Sequence, residues 1–306
     1  MPNTTVSTLV AKLRDPLSLA IRRQVERVAR LTTPVLLFGE TGVGKDLFAE
    51  YLHARSAGGP LLNLHCGDVP EPLLESEWFG CKKGAFSGAD SDRDGKWKLA
   101  AGGTLFLNRI DLLPLHLQAK LLRIVERRRY YPLGANREEE VRARFVFSAD
   151  ADIEEKVRRH EFRADLFFRI SAYKIFLPPL RERKLDIPVW LAHFAAAERI
   201  ELRLPPRARR LLADYPWPGN IRELENFVRG AAVGKTAVDE DDVRRLLAGA
   251  AQILDLAKTR EWSLERLEAE YLEFLLRKYG NKSRVAEILK ISRKSLYDRL
   301  KRNETR

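Results

Sequence analysis

At 306 residues the chain can hold a large core with one or two small domains. Its 45% hydrophobic and 32% charged content fits a soluble globular protein, no apolar run is long enough to span a bilayer as a helix, and a net charge of +12 suits a nucleic-acid partner. The first ten residues lack the basic start and apolar run of a secretory signal, and Cys66 and Cys81 have neither metal-type spacing nor a disulfide framework, so a reducing cytoplasm is the expected setting.

Asp15-Pro16 reads as an N-cap and first turn. It opens a helix whose Leu19, Ile21, Val25, Val28 and Leu31 fit one broad apolar face, and Thr32-Thr33-Pro34 breaks it. Val35-Leu36-Leu37-Phe38 reads as a buried strand. Gly39, Gly42 and Gly44 then allow a tight loop, and Lys45 opens an apolar-periodic helix through Leu47-Phe48-Ala49 to Tyr51-Leu52. A strand that turns through glycines into a helix N-terminus is a phosphate cradle: backbone N–H groups point inward, the helix dipole favours negative charge, and a lysine reaches the outer phosphates. Gly39, Glu40, Thr41, Gly42, Val43, Gly44, Lys45 and Asp46 fit the phosphate-binding loop at every position but the last. There Asp46 replaces the Ser or Thr whose hydroxyl usually helps hold Mg²⁺.

Further strands are expected at Leu61 to His65, Thr104 to Leu107, Arg144 to Ser148 and Tyr173 to Leu177, with helical patterns between them such as Leu115 to Arg128. That alternation means a parallel, doubly wound sheet covered on both faces. Gly84-Ala85-Phe86-Ser87-Gly88-Ala89 sits in a polar surround, with Phe86 as the aromatic tip of a mobile loop. Pro178-Pro179 ends the last strand. The pattern then turns all helical, over Ile187 to Arg199, Pro206 to Asp214, Asn220 to Val233 and Glu240 to Leu247.

A last helical unit follows. Leu264, Leu267, Tyr271, Phe274 and Leu275 make an apolar stripe, and Gly280 stops that helix. Asn281 or Ser283 caps a second helix with Val285, Ala286, Ile288 and Leu289 inward. Ser292 caps a third, Arg293 to Arg302, with Leu296 and Leu300 inward. This is a helix-turn-helix pattern. Arg293, Lys294, Ser295, Tyr297, Asp298 and Lys301 face outward to enter a major groove, and Lys282 and Arg284 suit DNA phosphates. A solvated basic hairpin that merely caps the preceding helices is the competing reading.

The order of these motifs resembles the bacterial enhancer-binding proteins, the AAA+ activators of sigma-54 RNA polymerase, of the NtrC, PspF and HrpR/HrpS type. It runs from the Gly39 to Asp46 loop through Glu75-Ser76-Glu77-Trp78-Phe79-Gly80, Gly84 to Ala89, and Gly102-Gly103-Thr104-Leu105-Phe106-Leu107. Phe162-Arg163-Ala164-Asp165-Leu166, Pro178-Pro179-Leu180-Arg181-Glu182-Arg183 and Trp217-Pro218-Gly219-Asn220-Ile221-Arg222-Glu223-Leu224-Glu225-Asn226 complete the series. The C-terminal unit resembles the Fis-type domain that ends many such proteins. The resemblance implies an α/β fold: an AAA+ P-loop parallel sheet with a helical lid, followed by a small all-α helix-turn-helix domain. The expected division is 1–180 for the nucleotide-binding subdomain with a short N-terminal helix, 181–248 for the lid, 249–260 for a linker and 261–306 for the DNA-binding domain.

Roles follow from the same resemblance. ATP is the expected cofactor, held by residues 39 to 46 and sensed by Arg222. The loop Gly84 to Ala89 would touch sigma-54, with Ser87 where threonine is usual. Arg163 and Arg169 look like arginine fingers offered to a neighbouring subunit's γ-phosphate, a device worth about 10³ to 10⁵ in rate. An acidic residue at position 46 is ordinary in that family. The expected partners are upstream double-stranded DNA, sigma-54 RNA polymerase and a homo- or hetero-oligomeric ring, with no membrane.

Three departures concern one function. Where the family carries an Asp-Glu pair, this chain has Asn108 and Arg109, a degraded Walker B. Asn108 carries no charge, and Arg109 cannot be a general base because its pKa is above ~12; it can only mimic part of a metal's charge. His65 stands where an asparagine usually partners the catalytic glutamate, and Ala149-Asp150 where the first sensor is usually Thr-Asn. Asp111 is the nearest acidic residue that would substitute. Mg²⁺ binding is expected to be weakened, no metal site is read from the side chains, and hydrolysis by the homomer is expected to be poor. A mixed ring beside a competent paralogue is the corresponding way to work. No receiver, GAF or other sensor domain is read before the ATPase pattern, so control is expected from expression, a separate inhibitor or a ring partner. The competing classes are a DNA-binding regulator that uses the ATPase fold only as a scaffold, and an AAA+ remodeller of another pathway.

Overall fold

The computed structural model describes residues 2–56, 58–67, 71–86, 89–233 and 235–245, together with residues 271, 272, 275, 276, 282, 285, 286, 289 and 296. Two compact units are present, Met1–Val238 and Asp239–Arg306.

The first unit begins with helices α1 (Pro2–Lys12) and α2 (Pro16–Val28). The Asp15 carboxylate accepts from Leu17 N at 3.1 Å, and Pro16 opens the helix where its missing N–H costs nothing. Ile21, Val25 and Val28 are buried as the periodicity requires, but α2 ends at Val28. Leu31 therefore lies past the helical face and is 52% exposed, which corrects its place on the stripe.

Next come β1 (Val35–Phe38), α3 (Lys45–Ala54), β2 (Leu61–His65), α4 (Glu71–Phe79) and the short pair β3 (Gly80–Cys81) and β4 (Arg93–Asp94). After α5 (Lys96–Leu99) follow β5 (Thr104–Asn108), α6 (Leu115–Arg127), a second short pair β6 (Arg129–Tyr130) and β7 (Glu139–Glu140), and β8 (Arg144–Ala149). Helices α7 (Ile153–Arg158) and α8 (Ala164–Ile170) lead to β9 (Tyr173–Phe176). Beyond it lie α9 (Ile187–Ala197), β10 (Glu201–Leu202), α10 (Pro206–Asp214), α11 (Asn220–Ala232) and β11 (Ala237–Val238).

The main sheet is five-stranded and parallel, in the order β2-β5-β8-β1-β9. Every residue of β5 and β8 is buried, the signature of strands covered on both faces. Strand β1 lies between β8 and β9, and its C-terminal end opens into the glycine loop. Ligands of open α/β sheets bind in the crevice outside these carboxyl ends. Strand β5 runs one residue further than expected, to Asn108, and that extension places Asn108 at the mouth of the crevice.

The two short antiparallel pairs had no counterpart in the sequence reading. Each strand is two residues long, too short to show any alternation. The first pair is the stem of the Gly84 to Ala89 loop.

In the second unit, residues 240–245 are helical, and Asp239 caps them by accepting from the backbone N of Asp241 and Asp242 at 3.0 and 3.1 Å. Leu272, Leu275, Val285, Ala286 and Leu296 form a buried cluster, with Leu276 and Leu289 against it. Tyr271, expected on the inward stripe, is 40% exposed, and Leu272 takes the buried position in its stead. Lys282 is exposed. Arg284, Arg293, Lys294, Ser295, Tyr297, Asp298 and Lys301 lie outside the described residues, as do Ser87 and Gly88. Among the described residues no helix is long and apolar enough to cross a membrane.

Candidate functional site

The glycine loop carries the backbone geometry of a phosphate cradle. Gly42 and Gly44 have φ of 81° and 95°, values that L side chains rarely adopt, and Gly44 is the N-cap of α3. A Cβ on Gly42 would stand 2.4 Å from the Gly219 carbonyl oxygen and 3.3 Å from the Arg222 Cβ. Loop and lid helix therefore meet backbone to backbone.

The junction is held by Asn220, the first residue of α11. It sits at φ 53°, an αL value that asparagine tolerates, with its side chain buried. Its Oδ1 accepts from Leu180 N at 2.7 Å, while its Nδ2 donates to Thr41 O at 3.0 Å and to Glu40 Oε2 at 3.1 Å. Ile221 N donates to Gly42 O at 2.9 Å. Arg181 clamps the Glu40 carboxylate with bonds of 2.6 and 3.0 Å, and those bonds hold that carboxyl below its ordinary range. Arg222 stands exposed on the first turn of the same helix.

At the end of β5 the two non-acidic residues are fully engaged. Asn108 is buried; its Nδ2 donates to Asp46 Oδ1 at 2.5 Å, and its Oδ1 accepts from Ser148 Oγ at 2.5 Å. The amide is thus held with its nitrogen toward Asp46 and its oxygen toward Ser148. His65 pairs with Asn108 in the strand register, its Nε2 3.4 Å from the Asn108 Nδ2.

Arg109 adopts φ 59° and turns back over the strand ends. Its Nε and Nη2 donate to Asp111 at 3.1 and 3.0 Å, and its Nη2 also lies 3.0 Å from Asp150 Oδ2. The other Asp150 oxygen accepts from Lys45 Nζ at 3.1 Å. Lys45 also donates to Gly39 O at 2.7 Å and Glu40 O at 3.1 Å, and Thr41 Oγ1 lies 3.3 Å from Asp150. Lys156 Nζ completes the row with a 2.9 Å bond to Asp111. Charges thus alternate along Lys45, Asp150, Arg109, Asp111 and Lys156. Burial pulls Lys45 below the usual lysine range, against the opposing pull of Asp150.

Asp111 does not replace the missing glutamate. Its side chain is wholly buried between two cations. Burial by itself would raise its carboxyl, but the hydrogen bonds from Arg109 and Lys156 outweigh that and hold it below the usual carboxylate range. A carboxylate so stabilised is a poor proton acceptor. Arg109 is pushed further from neutrality: burial opposes its charge, yet Asp111 and Asp150 raise it above the ordinary arginine value.

The arrangement has the features of a polyphosphate cradle, and its acidic groups are engaged by cations and amides. The cradle offers backbone N–H groups, a helix N-terminus and Lys45. Mg²⁺ needs hard oxygen donors. Here the Asn108 oxygen is taken by Ser148, its nitrogen faces Asp46, and a guanidinium occupies the next position. Among the described residues no group of three or more His, Cys, Asp or Glu is placed to hold a metal ion.

The remaining residues of interest lie on other elements. Arg163 is exposed at the N-cap of α8 and paired with Asp165 at 2.7 Å; Arg169 is exposed in the last turn of that helix, beside Phe168, which is 72% exposed. In the 84–89 loop, Phe86 is 46% exposed, and the stem beneath is pinned by the Lys82–Asp92 ion pair and by Lys82 N donating to Leu133 O at 2.9 Å.

Sequence reasoning named Asn220 and Arg183 only as members of motifs, gave them no role, and did not single out Asp186. The Pro218-Gly219-Asn220 run just before a helical pattern is the signal that would have exposed the first. Arg183 and Asp186 carry no local signal, because their partners are remote in sequence.

Three stretches match known families: residues 13–176 the sigma-54 interaction domain, 181–255 the AAA+ ATPase lid domain, and 263–302 the Fis family of bacterial regulatory proteins. The chain is 44% identical over 242 residues to nitric oxide reductase transcription regulator NorR1 of Cupriavidus necator, covering 76% of this chain and 46% of that protein. It is 38% identical over 298 residues to C4-dicarboxylate transport transcriptional regulatory protein DctD of Rhizobium meliloti, covering 95% and 63%. The chain thus spans about half to two thirds of the length of these curated relatives. Among solved structures, NtrX from Brucella abortus in complex with ATP superposes with a TM-score of 0.69 at 28% identity, covering 95% of this chain and 68% of that one. The ADP complex of NtrX gives 0.68 at 28% identity, covering 94% and 67%.

Proposed function

The chain belongs to the family of sigma-54-dependent AAA+ regulators that carry a Fis-type helix-turn-helix, and from that premise we propose that it is a cytoplasmic transcriptional regulator that holds ATP but hydrolyses it poorly as a homomer. It binds upstream DNA through Lys282, Arg284, Arg293, Lys294, Ser295, Tyr297, Asp298 and Lys301. It contacts sigma-54 RNA polymerase through Gly84 to Ala89. ATP sits in the cradle of residues 39 to 46, with Arg222 reading its state from the lid. Support comes from the relatives named as transcription regulators and from the ATP and ADP complexes of NtrX.

One observation carries the claim of poor hydrolysis. The residues at the end of β5 are an amide and a guanidinium; Asp111 is locked between Arg109 and Lys156, Asp46 accepts from Asn108, and Asp150 is held by Lys45 and Arg109. Each of these three carboxylates is already engaged, so none stands where an acid would orient or deprotonate a lytic water. Arg163 and Arg169 act on a neighbour's site and do not depend on this loss. The subunit therefore works in a mixed ring, lending fingers and a polymerase contact to a paralogue that hydrolyses. Co-expression with candidate paralogues tests this: the expected result is co-purification and an ATPase rate that falls when Arg163 or Arg169 of this chain is changed to alanine. If no partner co-purifies or restores turnover, the mixed ring is wrong.

A second reading, a DNA-binding regulator that uses the fold only as a scaffold, draws on the Lys45–Asp150 pair that occupies the cradle. It differs in requiring no contact at Phe86.

A further inference from the structure

The carboxylate of Asp150 lies against the phosphate-loop lysine. One oxygen is 3.1 Å from Lys45 Nζ, the other 3.0 Å from Arg109 Nη2, and Thr41 Oγ1 approaches at 3.3 Å. Two cations from different elements, the glycine loop and the end of β5, converge on a single anion. The Arg109 guanidinium is thus one carboxylate away from the phosphate-loop lysine. Its side chain is only 25% exposed, and it is oriented by Asp111, which Lys156 also binds. The donor set for Mg²⁺ is missing in that same place.

We propose that this cleft binds ATP without a resident divalent cation: the polyphosphate displaces the Asp150 carboxylate from Lys45 and Arg109, and the Arg109 guanidinium supplies the positive charge that a metal would otherwise bring. The proposal rests on the reading that the cleft binds nucleotide. Its chemistry is consistent with the fork of a guanidinium, which binds two phosphate oxygens at once and keeps its charge at any physiological pH. Asp150 is the switch within it. It guards the two cations from each other's repulsion when no anion is present, and its backbone N, 3.3 Å from Asp111 Oδ1, ties it to the same row. Asn108 then serves as a positioning residue, holding Asp46 aside through its amide.

The test is calorimetric titration of the full chain with ATP, once in Mg²⁺ and once in EDTA. The expected affinities agree within about threefold, since no ligand set gains from the metal. Arg109→Ala weakens binding in EDTA by about tenfold to a hundredfold, the worth of one hydrogen bond to a charged group, while Arg109→Lys retains part of it. The pair Asn108→Asp with Arg109→Glu makes binding depend on Mg²⁺ by at least about tenfold. Mg²⁺ tightening the native chain by tenfold or more overturns the proposal alone, as does an Arg109→Ala chain that binds normally in EDTA. No binding in either buffer overturns it together with the nucleotide reading. Should the Arg109 variants fail to fold, the two titrations of the native chain still decide.

Discussion

Changing Phe86 to alanine should reduce transcription from a sigma-54 promoter by at least about 30-fold while leaving DNA binding intact; aromatic anchors at interfaces cost about 2 kcal/mol or more when truncated. Among the described residues the ring belongs to no core cluster, and it is 46% exposed, so its loss should disturb the fold little. The backbone that presents it is independent of the ring. Gly84 N donates to Ala89 O at 2.9 Å, Ala85 N to Lys82 O at 3.0 Å, and Ala89 N to Phe86 O at 3.0 Å. The turn at Gly134 packs against Ala85, where an added Cβ would come within 2.8 Å of the Ala85 Cβ. The variant should therefore fold normally, with a stability change within about 0.5 kcal/mol. A reporter assay alongside a gel-shift assay decides: activity that survives Phe86→Ala removes the polymerase contact from this loop and favours the scaffold reading.

The second large effect concerns stability. Asp186→Ala should cost about 3–5 kcal/mol, the usual loss when one member of a buried charged group is removed, from a total of about 5–15 kcal/mol for a domain. Asp186 is fully buried. Its Oδ1 accepts from the backbone N of Arg14 at 2.7 Å and of Asp15 at 2.9 Å, and its Oδ2 accepts from Ser18 Oγ. Beside it Arg183 is also fully buried, pushed down to about 10 by burial and so still charged at neutral pH. Removing the carboxylate strands two backbone N–H groups and a hydroxyl, and takes away a negative charge that favours the buried Arg183 guanidinium. The damage reaches the cleft, because Arg183 Nη2 donates to Val43 O in the glycine loop at 2.9 Å. Urea denaturation should show a lower midpoint with an unchanged slope. Asp214→Ala, which removes only the exposed partner of Lys184, should move the midpoint little. Equal effects of the two variants would mean that the Asp186 cluster holds nothing together.

Much of the fold was legible because its strands are short, uninterrupted apolar runs between glycines and prolines. Strands β1 and β2 have the bounds read from the sequence, and β5, β8 and β9 differ at their C-terminal ends by one residue. Helix α2 was legible from its cap. Leu31 and Tyr271 were misread because periodicity extends a stripe without knowing where a helix stops or which neighbour turns inward. The site was half legible. Glycines, lysine and the absent acids are local features, visible in a few consecutive residues. The Asp150 bridge to Lys45 spans 105 residues and the Asp186 cluster about 170, and no local pattern encodes a contact between strand ends that only the sheet order brings together. Asp111 looked like a spare acid in the sequence; Lys156, 45 residues away, is one of the two cations that close it off.

The most direct measurement is a single turnover. Purified homomer in excess is mixed with radiolabelled ATP, and bound nucleotide is separated and analysed over time. The expected result is stoichiometric capture of ATP that remains uncleaved for many catalytic lifetimes of a competent relative. Prompt conversion of the bound ATP to ADP, with Asn108 and Arg109 in place, would contradict a cleft that grips the triphosphate and lacks the acid to split it.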